Sequence, residues 1–135
     1  MELSTHLTFD GRCEEAFKLY EQVLRGKITF AMKFKDAPMP QSNPEWGEKI
    51  VHTTLTFGDQ SLAGADAPPD HYKKPQGFSV VISLKDAAEA ERIFNALAEG
   101  AKVNMPLQET FWALRYASLT DRYGTPWEIN CEKPR

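Results

Sequence analysis

One pattern of residues occurs twice in this chain of 135 residues, with a spacing of 74 positions. The repeated residues are the apolar stripe of an amphipathic helix and the glycine that ends it. Six residues of the first copy correspond in type to six of the second: Ala16, Lys18, Leu19, Tyr20, Val23 and Gly26 correspond to Ala90, Arg92, Ile93, Phe94, Leu97 and Gly100. An internal period of this size predicts a duplicated structural unit.

Each copy has the same predicted order of elements, namely a strand, a helix and three further strands. Alternating apolar and polar residues, bounded by Gly and Pro, predict the strands. The predicted strands are 3–9, 27–35, 49–57 and 60–65 in the first half and 77–84, 101–109, 112–120 and 126–132 in the second. We therefore predict an α+β fold of two βαβββ modules forming a cupped mixed sheet. Residues 1–135 are expected to form one domain, with module one at about 1–66, a Pro-rich linker at 67–76 and module two at about 77–135.

Composition excludes several classes of protein. The net charge is −3 and there is no basic block, which disfavours a surface that binds nucleic acid. The chain has neither a long apolar run nor a secretory h-region, so we expect a cytoplasmic protein without a membrane partner. Cys13 and Cys131 are predicted to be reduced thiols, and Glu14 and Glu15 are predicted to raise the pKa of Cys13.

The sheet face turned away from each helix is predicted to be polar. A helix covers one face of the sheet that it packs on, and strand alternation assigns the other face. The residues assigned to the uncovered faces are His6, His52, Thr54, Ser79, Glu128 and Asn130. A concave sheet lined by such side chains is suited to holding a small ligand or a metal ion.

Four segments carry a resemblance to a known superfamily: LTFDGRCEEAFKLYEQVL (7–24), VHTTLTFGDQSL (51–62), DAAEAERIFNALAEGAKVNMPLQETFW (86–112) and LTDRYGTPWEIN (119–130). Gly100 to Trp112 approximates G-x-V-x-M-P-L-x-x-T-x-W, and Asp121 to Trp127 matches D-x-x-G-x-x-W. The chain resembles the vicinal oxygen chelate superfamily (the glyoxalase and bleomycin-resistance fold), and within it the PhnB-like, 3-demethylubiquinone-methyltransferase-like branch. This resemblance implies paired βαβββ modules and a homodimer.

The resemblance also implies positions for metal ligands. His6 matches the histidine of the first strand and Glu128 matches the late glutamate, whereas Ser79 and Thr54 fall at or near the other two positions. Hydroxyl groups are poor ligands for Zn²⁺ or Fe²⁺. His52 lies two residues from Thr54 with the same parity, so His6, His52 and Glu128 are a possible set for Zn, Ni, Mn or Fe.

Each candidate residue also has an alternative interpretation. His6 and His52 are otherwise strand histidines that hydrogen-bond neighbours, and Glu128 is otherwise solvated or paired with a cation. Trp112 is either a core residue or the wall of a pocket. Arg115, predicted to be surrounded by apolar residues, needs either an ion pair within the chain or an anionic ligand.

Two functions follow from these observations. The first is a small-molecule-binding protein of the vicinal oxygen chelate type, with His6 and Glu128 as the residues for any catalysis and with ligand contacts at His52, Thr54, Ser79, Trp112, Arg115 and Asn130. The alternative is a metal-dependent lyase, isomerase or transferase that acts on a small substrate with vicinal oxygens. No nucleophile elbow, phosphate-binding loop or dinucleotide fingerprint is present in the sequence. Nothing in it therefore supports the methyltransferase label of the relatives.

Overall fold

The computed structural model describes residues 1–38 and 44–134. They form two compact units, Met1–Lys74 and Pro75–Arg135. Over these described residues, each unit contains four strands and one α-helix in the order βαβββ. The predicted fold class, with two βαβββ modules of the glyoxalase and bleomycin-resistance type, is confirmed.

The first unit contains β1 (Thr5–Phe9), α1 (Cys13–Val23), β2 (Lys27–Lys33), β3 (Ile50–Phe57) and β4 (Gln60–Asp66). Its sheet has the order β1-β4-β3-β2, in which β1 and β4 are parallel and the other pairs antiparallel. β2 ends before the predicted strand does, because Phe34–Asp36 forms a 3₁₀ turn. A second 3₁₀ turn follows at Pro44–Trp46. The predicted loop 36–48 extends over residues 39–43, which lie outside the described residues.

The second unit repeats this order with β5 (Val80–Leu84), α2 (Ala87–Ala98), β6 (Lys102–Gln108), β7 (Ala113–Thr120) and β8 (Pro126–Glu132). Its sheet has the order β5-β8-β7-β6, with β5 and β8 parallel. The carboxylate of Asp86 caps α2, accepting from the N–H groups of Ala88 and Glu89 at 2.9 and 3.4 Å. No described helix of either unit is long and apolar enough to cross a membrane.

The two parallel strand pairs have the same register. Thr5 faces Leu62 at the start of the β1/β4 pair, and Val80 faces Trp127 at the start of the β5/β8 pair, with five residue pairs in each. In the second residue pair of each register, His6 lies opposite Ala63 and Val81 lies opposite Glu128. The residue of module two that stands where His6 stands in module one is therefore Val81. Ser79, to which the sequence assigned that position, precedes the first residue of β5.

The core of the first unit lies between α1 and one face of its sheet. Leu7 and Phe9 of β1 and Leu55 of β3 are buried against Phe17 and Tyr20 of the helix. The rings of Phe9 and Phe17 meet edge to face at 5.9 Å. Helix packing therefore covers this face of the sheet, and the side chains of opposite parity are left on the other face.

A buried carboxylate joins three segments of the first unit. Asp66 ends β4 and is 4% exposed. Its Oδ1 accepts from the N–H groups of Gly11 and Cys13, and its Oδ2 accepts from the N–H group of Ile50, all at 2.9 Å. These bonds satisfy backbone donors at the start of α1 and at the start of β3, which have no partner in a helix or a strand ladder.

A second buried carboxylate closes the turn between β7 and β8. Asp121 accepts from the N–H groups of Tyr123 and Thr125 at 2.9 and 3.0 Å. Its Oδ2 also accepts from the indole N–H of Trp127 at 2.8 Å. Gly124 has φ +95°, a conformation that favours glycine. The motif D-x-x-G-x-x-W is thus a turn that ties the first residues of β8 to the end of β7, and Trp127 is a core residue, 1% exposed.

Both cysteines are buried and free. Burial is the main cause that raises the pKa of the Cys13 thiol, followed by the charges of Asp66 and Glu14. The predicted direction is therefore confirmed, but its principal cause is desolvation. A thiol held protonated in this way is a poor nucleophile.

Candidate functional site on the helix-free faces

The first unit presents what we call the imidazole face, composed of His6, Phe30, His52 and Thr54. These residues lie on β1, β2 and β3, on the side of the sheet opposite α1. The rings of His6 and His52 are stacked, with centroids 6.3 Å apart, and the rings of Phe30 and His52 are 5.8 Å apart. His6 and Thr54 both face Ala63 of the intervening strand β4, and this small residue leaves space between them. The predicted juxtaposition of His6 and His52 is present within this unit.

The electrostatic environment of His6 favours its neutral form. Desolvation by the surrounding protein lowers the pKa of His6, and the neighbouring His52 lowers it further. The Nε2 atom of His52 lies 3.4 Å from the hydroxyl of Thr54, within hydrogen-bonding distance. Neutral imidazoles can both donate and accept hydrogen bonds, so this face is suited to polar, uncharged groups of a ligand.

We expect His6 to titrate below pH 6.5 in a proton NMR titration, and His52→Asn to move its pKa part of the way back, since the repulsion from His52 is then absent. His71→Asn is the matched control, because the exposed His71 pairs with Asp70 and should leave His6 unchanged. Because the pKa of His6 is lower in the folded chain than in the unfolded chain, its protonation favours unfolding. The free energy of unfolding therefore decreases as the pH falls from 6.5 through the folded pKa. A His6 pKa at or above 6.5 would contradict the described packing.

The second unit presents what we call the carboxylate face, composed of Trp112, Tyr116, Glu128 and Asn130. Tyr116 donates its phenolic O–H to Glu128 Oε1 in a hydrogen bond. Glu128 lies between Val81 of β5 and Ser118 of β7, and Asn130 lies between Ser83 and Tyr116. Trp112 contacts the ring of Tyr116 at a centroid distance of 5.1 Å and is 45% exposed. An aromatic surface open to solvent thus adjoins the carboxylate.

Tyr116 holds its proton firmly. Desolvation, the hydrogen bond to Glu128 and the charge of Glu128 raise the pKa of Tyr116 to about 12, against a smaller lowering by a hydrogen bond with Ser118. At neutral pH the pair therefore carries one proton, on the phenol, and one negative charge, on the carboxylate. Such a pair is an acceptor-rich anionic group.

We expect absorbance titration of the tyrosines to show one group with a pKa of about 12 that is missing in Tyr116→Phe. Glu128→Gln should lower the pKa of Tyr116 because it removes the charge of Glu128, whereas desolvation remains. Glu132→Gln, an exposed carboxylate on the same strand, should leave it unchanged. Because Tyr116 binds its proton more tightly in the folded chain than in the unfolded chain, the free energy of unfolding decreases as the pH rises from 10 to about 12. Equal effects of the two Gln variants would exclude the hydrogen bond as a cause.

The other predicted ligand-binding residues have different surroundings. Ser79 is exposed and lies before β5. Arg115 is exposed and donates from Nη1 to the carbonyl of Leu114 at 2.7 Å, so the predicted apolar surround is wrong for this residue. The register shift between Ala113 and Arg115 in the pairing of β7 with β8 accompanies this orientation. Asn130 lies on the carboxylate face as predicted, and its Oδ1 is buried without a hydrogen-bond partner among the described residues.

The donor set does not fit a metal centre of the kind that the resemblance implies. Across the parallel strand pairs, His6 lies opposite Ala63 and Glu128 lies opposite Val81, so neither pair brings a histidine and a carboxylate together. Neither alanine nor valine can bind a cation. Within the described residues of either unit, no three His, Cys, Asp or Glu side chains form a metal-binding group.

The family model described as 3-demethylubiquinone-9 3-methyltransferase matches residues 1–130. The chain belongs to this family. Protein YjdN of Escherichia coli (strain K12) is 31% identical, and the match covers 98% of this chain and 97% of YjdN.

Solved structures show the same fold. Protein PA1353 from Pseudomonas aeruginosa is 41% identical, with a TM-score of 0.91 over 99% of both chains. A putative 3-demethylubiquinone-9 3-methyltransferase, PhnB protein, from Bacillus cereus is 22% identical, with a TM-score of 0.82 over 97% of this chain and 99% of that one. A possible glyoxalase from the same organism is 15% identical, with a TM-score of 0.62 over 95% and 96%. The fold is thus shared with a PhnB protein and a possible glyoxalase, as the sequence predicted.

Sequence reasoning overlooked one residue of the carboxylate face. Tyr116 is half-buried and has the same orientation as Ser118, opposite to the buried Ala117 and Leu119. The alternation of 116–120 contains this signal. Pairing β7 with β8 places Tyr116 opposite Asn130, on the same face as Glu128.

Proposed function

We propose that this PhnB-like protein binds a small organic molecule on its helix-free faces and does so without a metal ion. The observation that carries the proposal is that, at equivalent positions of the two modules, Ala63 lies opposite His6 and Val81 lies opposite Glu128. The polar groups that remain are hydrogen-bonding groups with aromatic neighbours. This is the chemistry of an organic ligand site rather than of a four-ligand metal centre.

The exposure of the aromatic side chains supports this proposal. Phe30 beside His52 is 44% exposed, and Trp112 beside Tyr116 is 45% exposed. A large ring that remains accessible next to a few fixed polar groups offers both apolar contact and orientation to a ligand. Aromatic rings that stabilise the core are buried, as Phe9 and Trp127 are in this chain.

Amide NMR with small aromatic probes tests the binding. Benzyl alcohol, benzoate, benzylammonium and imidazole would be titrated into the wild type. We expect saturable shifts at residues of the imidazole face or the carboxylate face for at least one probe. His6→Ala should remove the shifts on the imidazole face, while His71→Ala should retain them. Shifts confined to other surfaces, or the absence of any saturable shift, would refute the proposal.

The second candidate, a metal-dependent enzyme, is favoured by the retention of His6 and Glu128 and by the proximity of His52 to His6. Metal content discriminates between the two functions. Protein purified without a chelator or a histidine tag would be incubated with Zn²⁺, Ni²⁺, Mn²⁺ and Fe²⁺ and then desalted. Metal-independent binding predicts substoichiometric metal throughout. Stoichiometric metal that is lost in both His6→Ala and Glu128→Ala would establish the metal-dependent alternative.

We also propose that the protein is a homodimer. In the described sheets, β1 and β2 lie at the edges of one and β5 and β6 at the edges of the other. Unpaired edges present backbone donors and acceptors that another strand can satisfy. Light scattering should give twice the 15.3 kDa of one chain. A mass of one chain at every concentration would refute a dimer.

A further inference from the structure

We propose that the carboxylate face binds an organic cation that carries N–H donors, such as an alkylammonium, an amidinium or a guanidinium. The inference rests on the proposed function, since it names the ligand class for one of the two faces. Three separate features of the second unit lead to it: a carboxylate, a buried carbonyl oxygen without a donor, and a series of exposed aromatic rings.

The first feature is the charge of Glu128. Its Oε1 accepts from Tyr116, and an ionised carboxylate has further lone pairs on both oxygens. Among the described residues, the ion pairs formed in the second unit are Glu89 with Arg92 and Glu109 with Lys133, so Glu128 is not neutralised by a lysine or an arginine there. A partly buried carboxylate without a cation favours a cationic ligand.

The second feature is the amide of Asn130. Its Oδ1 is buried and has no hydrogen-bond partner in the described structure. Leaving a buried acceptor unsatisfied is unfavourable. The residue as a whole is only half-buried, so we infer that its amide turns Oδ1 towards a ligand N–H and gains the hydrogen bond. Asn130 lies two residues after Glu128 on the same face of β8, so their Cα atoms are about 7 Å apart along the strand. A ligand with two or more N–H donors can bond to both side chains.

The third feature is the aromatic series formed by Phe111, Trp112 and Tyr116. Trp112 meets Phe111 at 4.8 Å and Tyr116 at 5.1 Å, both edge to face. Phe111 is 89% exposed and Trp112 is 45% exposed, so the series extends from solvent to the hydroxyl that bonds Glu128. The faces of aromatic rings attract cations, and tryptophan does so most strongly.

These features together disfavour the other ligand classes at this face. An anion would meet the charge of Glu128 and the negative ring faces. A neutral alcohol could donate one hydrogen bond but would leave the charge uncompensated. Arg115, which precedes Tyr116 in the sequence, is exposed and directs Nη1 to the carbonyl of Leu114. A cation supplied from solution therefore fits the face better than either of these.

The test compares four probes of similar shape: benzylammonium, benzamidinium, benzyl alcohol and benzoate. Dissociation constants would be obtained from amide shifts of Tyr116, Glu128 and Asn130 in the wild-type protein. We expect both cations to bind at least about tenfold more tightly than the alcohol or benzoate, a difference of about 1.4 kcal/mol. Glu128→Gln should remove this preference, and Trp112→Ala should weaken cation binding several-fold.

Glu91→Gln is the matched control, since it removes an exposed carboxylate from α2, on the other side of the sheet, and should preserve the preference for cations. Equal affinities for cations and alcohol, an unchanged preference in Glu128→Gln, or no cation binding at the highest soluble concentration would overturn the inference. If the alcohol or benzoate binds to a helix-free face in that case, the proposed small-molecule binding survives and only the ligand class is wrong. If none of the four probes shifts either face, both proposals fail.

Discussion

Asp121→Ala is expected to lower the free energy of unfolding by about 3–5 kcal/mol, because three N–H donors lose a buried carboxylate acceptor together. The donors are the amides of Tyr123 and Thr125 and the indole of Trp127, with Asp121 itself 4% exposed. Urea unfolding followed by circular dichroism measures the change, and hydrogen exchange should show faster exchange at Tyr123 and Thr125. Since β8 starts at Pro126, we also expect the Tyr116–Glu128 hydrogen bond to weaken and the pKa of Tyr116 to fall.

Asp59→Ala is the control for this prediction. Asp59 lies in the turn between β3 and β4, the position in the first unit that corresponds to the β7–β8 turn, and it is exposed. Its replacement should change stability by less than about 0.5 kcal/mol. Asp121→Asn should lie between the two, since the amide keeps one acceptor oxygen. If Asp121→Ala were as stable as Asp59→Ala, the turn would not depend on the carboxylate.

Asp66→Ala is expected to cost a similar amount, about 3–5 kcal/mol, through the same mechanism in the first unit. The alanine variant leaves the N–H groups of Gly11, Cys13 and Ile50 without their carboxylate acceptor. Local loss of protection should appear at these three amides. Because Asp66 also raises the pKa of Cys13, the thiol should react faster with a thiol reagent in the variant.

Asp10→Ala provides the comparison for Asp66. Asp10 is exposed and pairs with Arg12 at 3.0 Å, an interaction worth about 0–1 kcal/mol at a surface. If both variants lowered the free energy of unfolding equally, the loss would be due to the charge near the start of α1 rather than to the buried hydrogen bonds. Exchange at Gly11, Cys13 and Ile50 that remained slow in Asp66→Ala would contradict the described contacts directly.

The fold could be predicted from the sequence because its two determinants are local and occur twice. The spacing of Ala16, Leu19, Tyr20 and Val23 identifies a helix, and the alternation in each strand identifies the face that the helix covers. All eight strands and both helices lie where these patterns predicted them, within a few residues. Repetition of the pattern then excluded the folds in which a single βαβββ unit stands alone.

The details of the site were harder to predict, because alternation assigns a residue to a face but not to a position opposite a neighbouring strand. Ser79 has the parity of Val81, yet only Val81 pairs with Glu128. Arg115 was misplaced because a register shift follows Ala113, and such a shift leaves little trace in a single sequence. The role of Asp66 depends on amides 16 to 55 residues away, which local patterns do not reveal.

The shared register of the parallel strand pairs has a consequence for how new activities can arise on this fold. His6 lies on the first strand of its parallel pair, and Glu128 lies on the second strand of the equivalent pair. Module one therefore has a histidine without a carboxylate opposite it, and module two has a carboxylate without a histidine opposite it. A glutamate in place of Ala63 and a histidine in place of Val81 would give each module both members on adjacent strands. Only two substitutions, at the half-buried Ala63 and the exposed Val81, thus separate these faces from faces that each carry a histidine opposite a carboxylate.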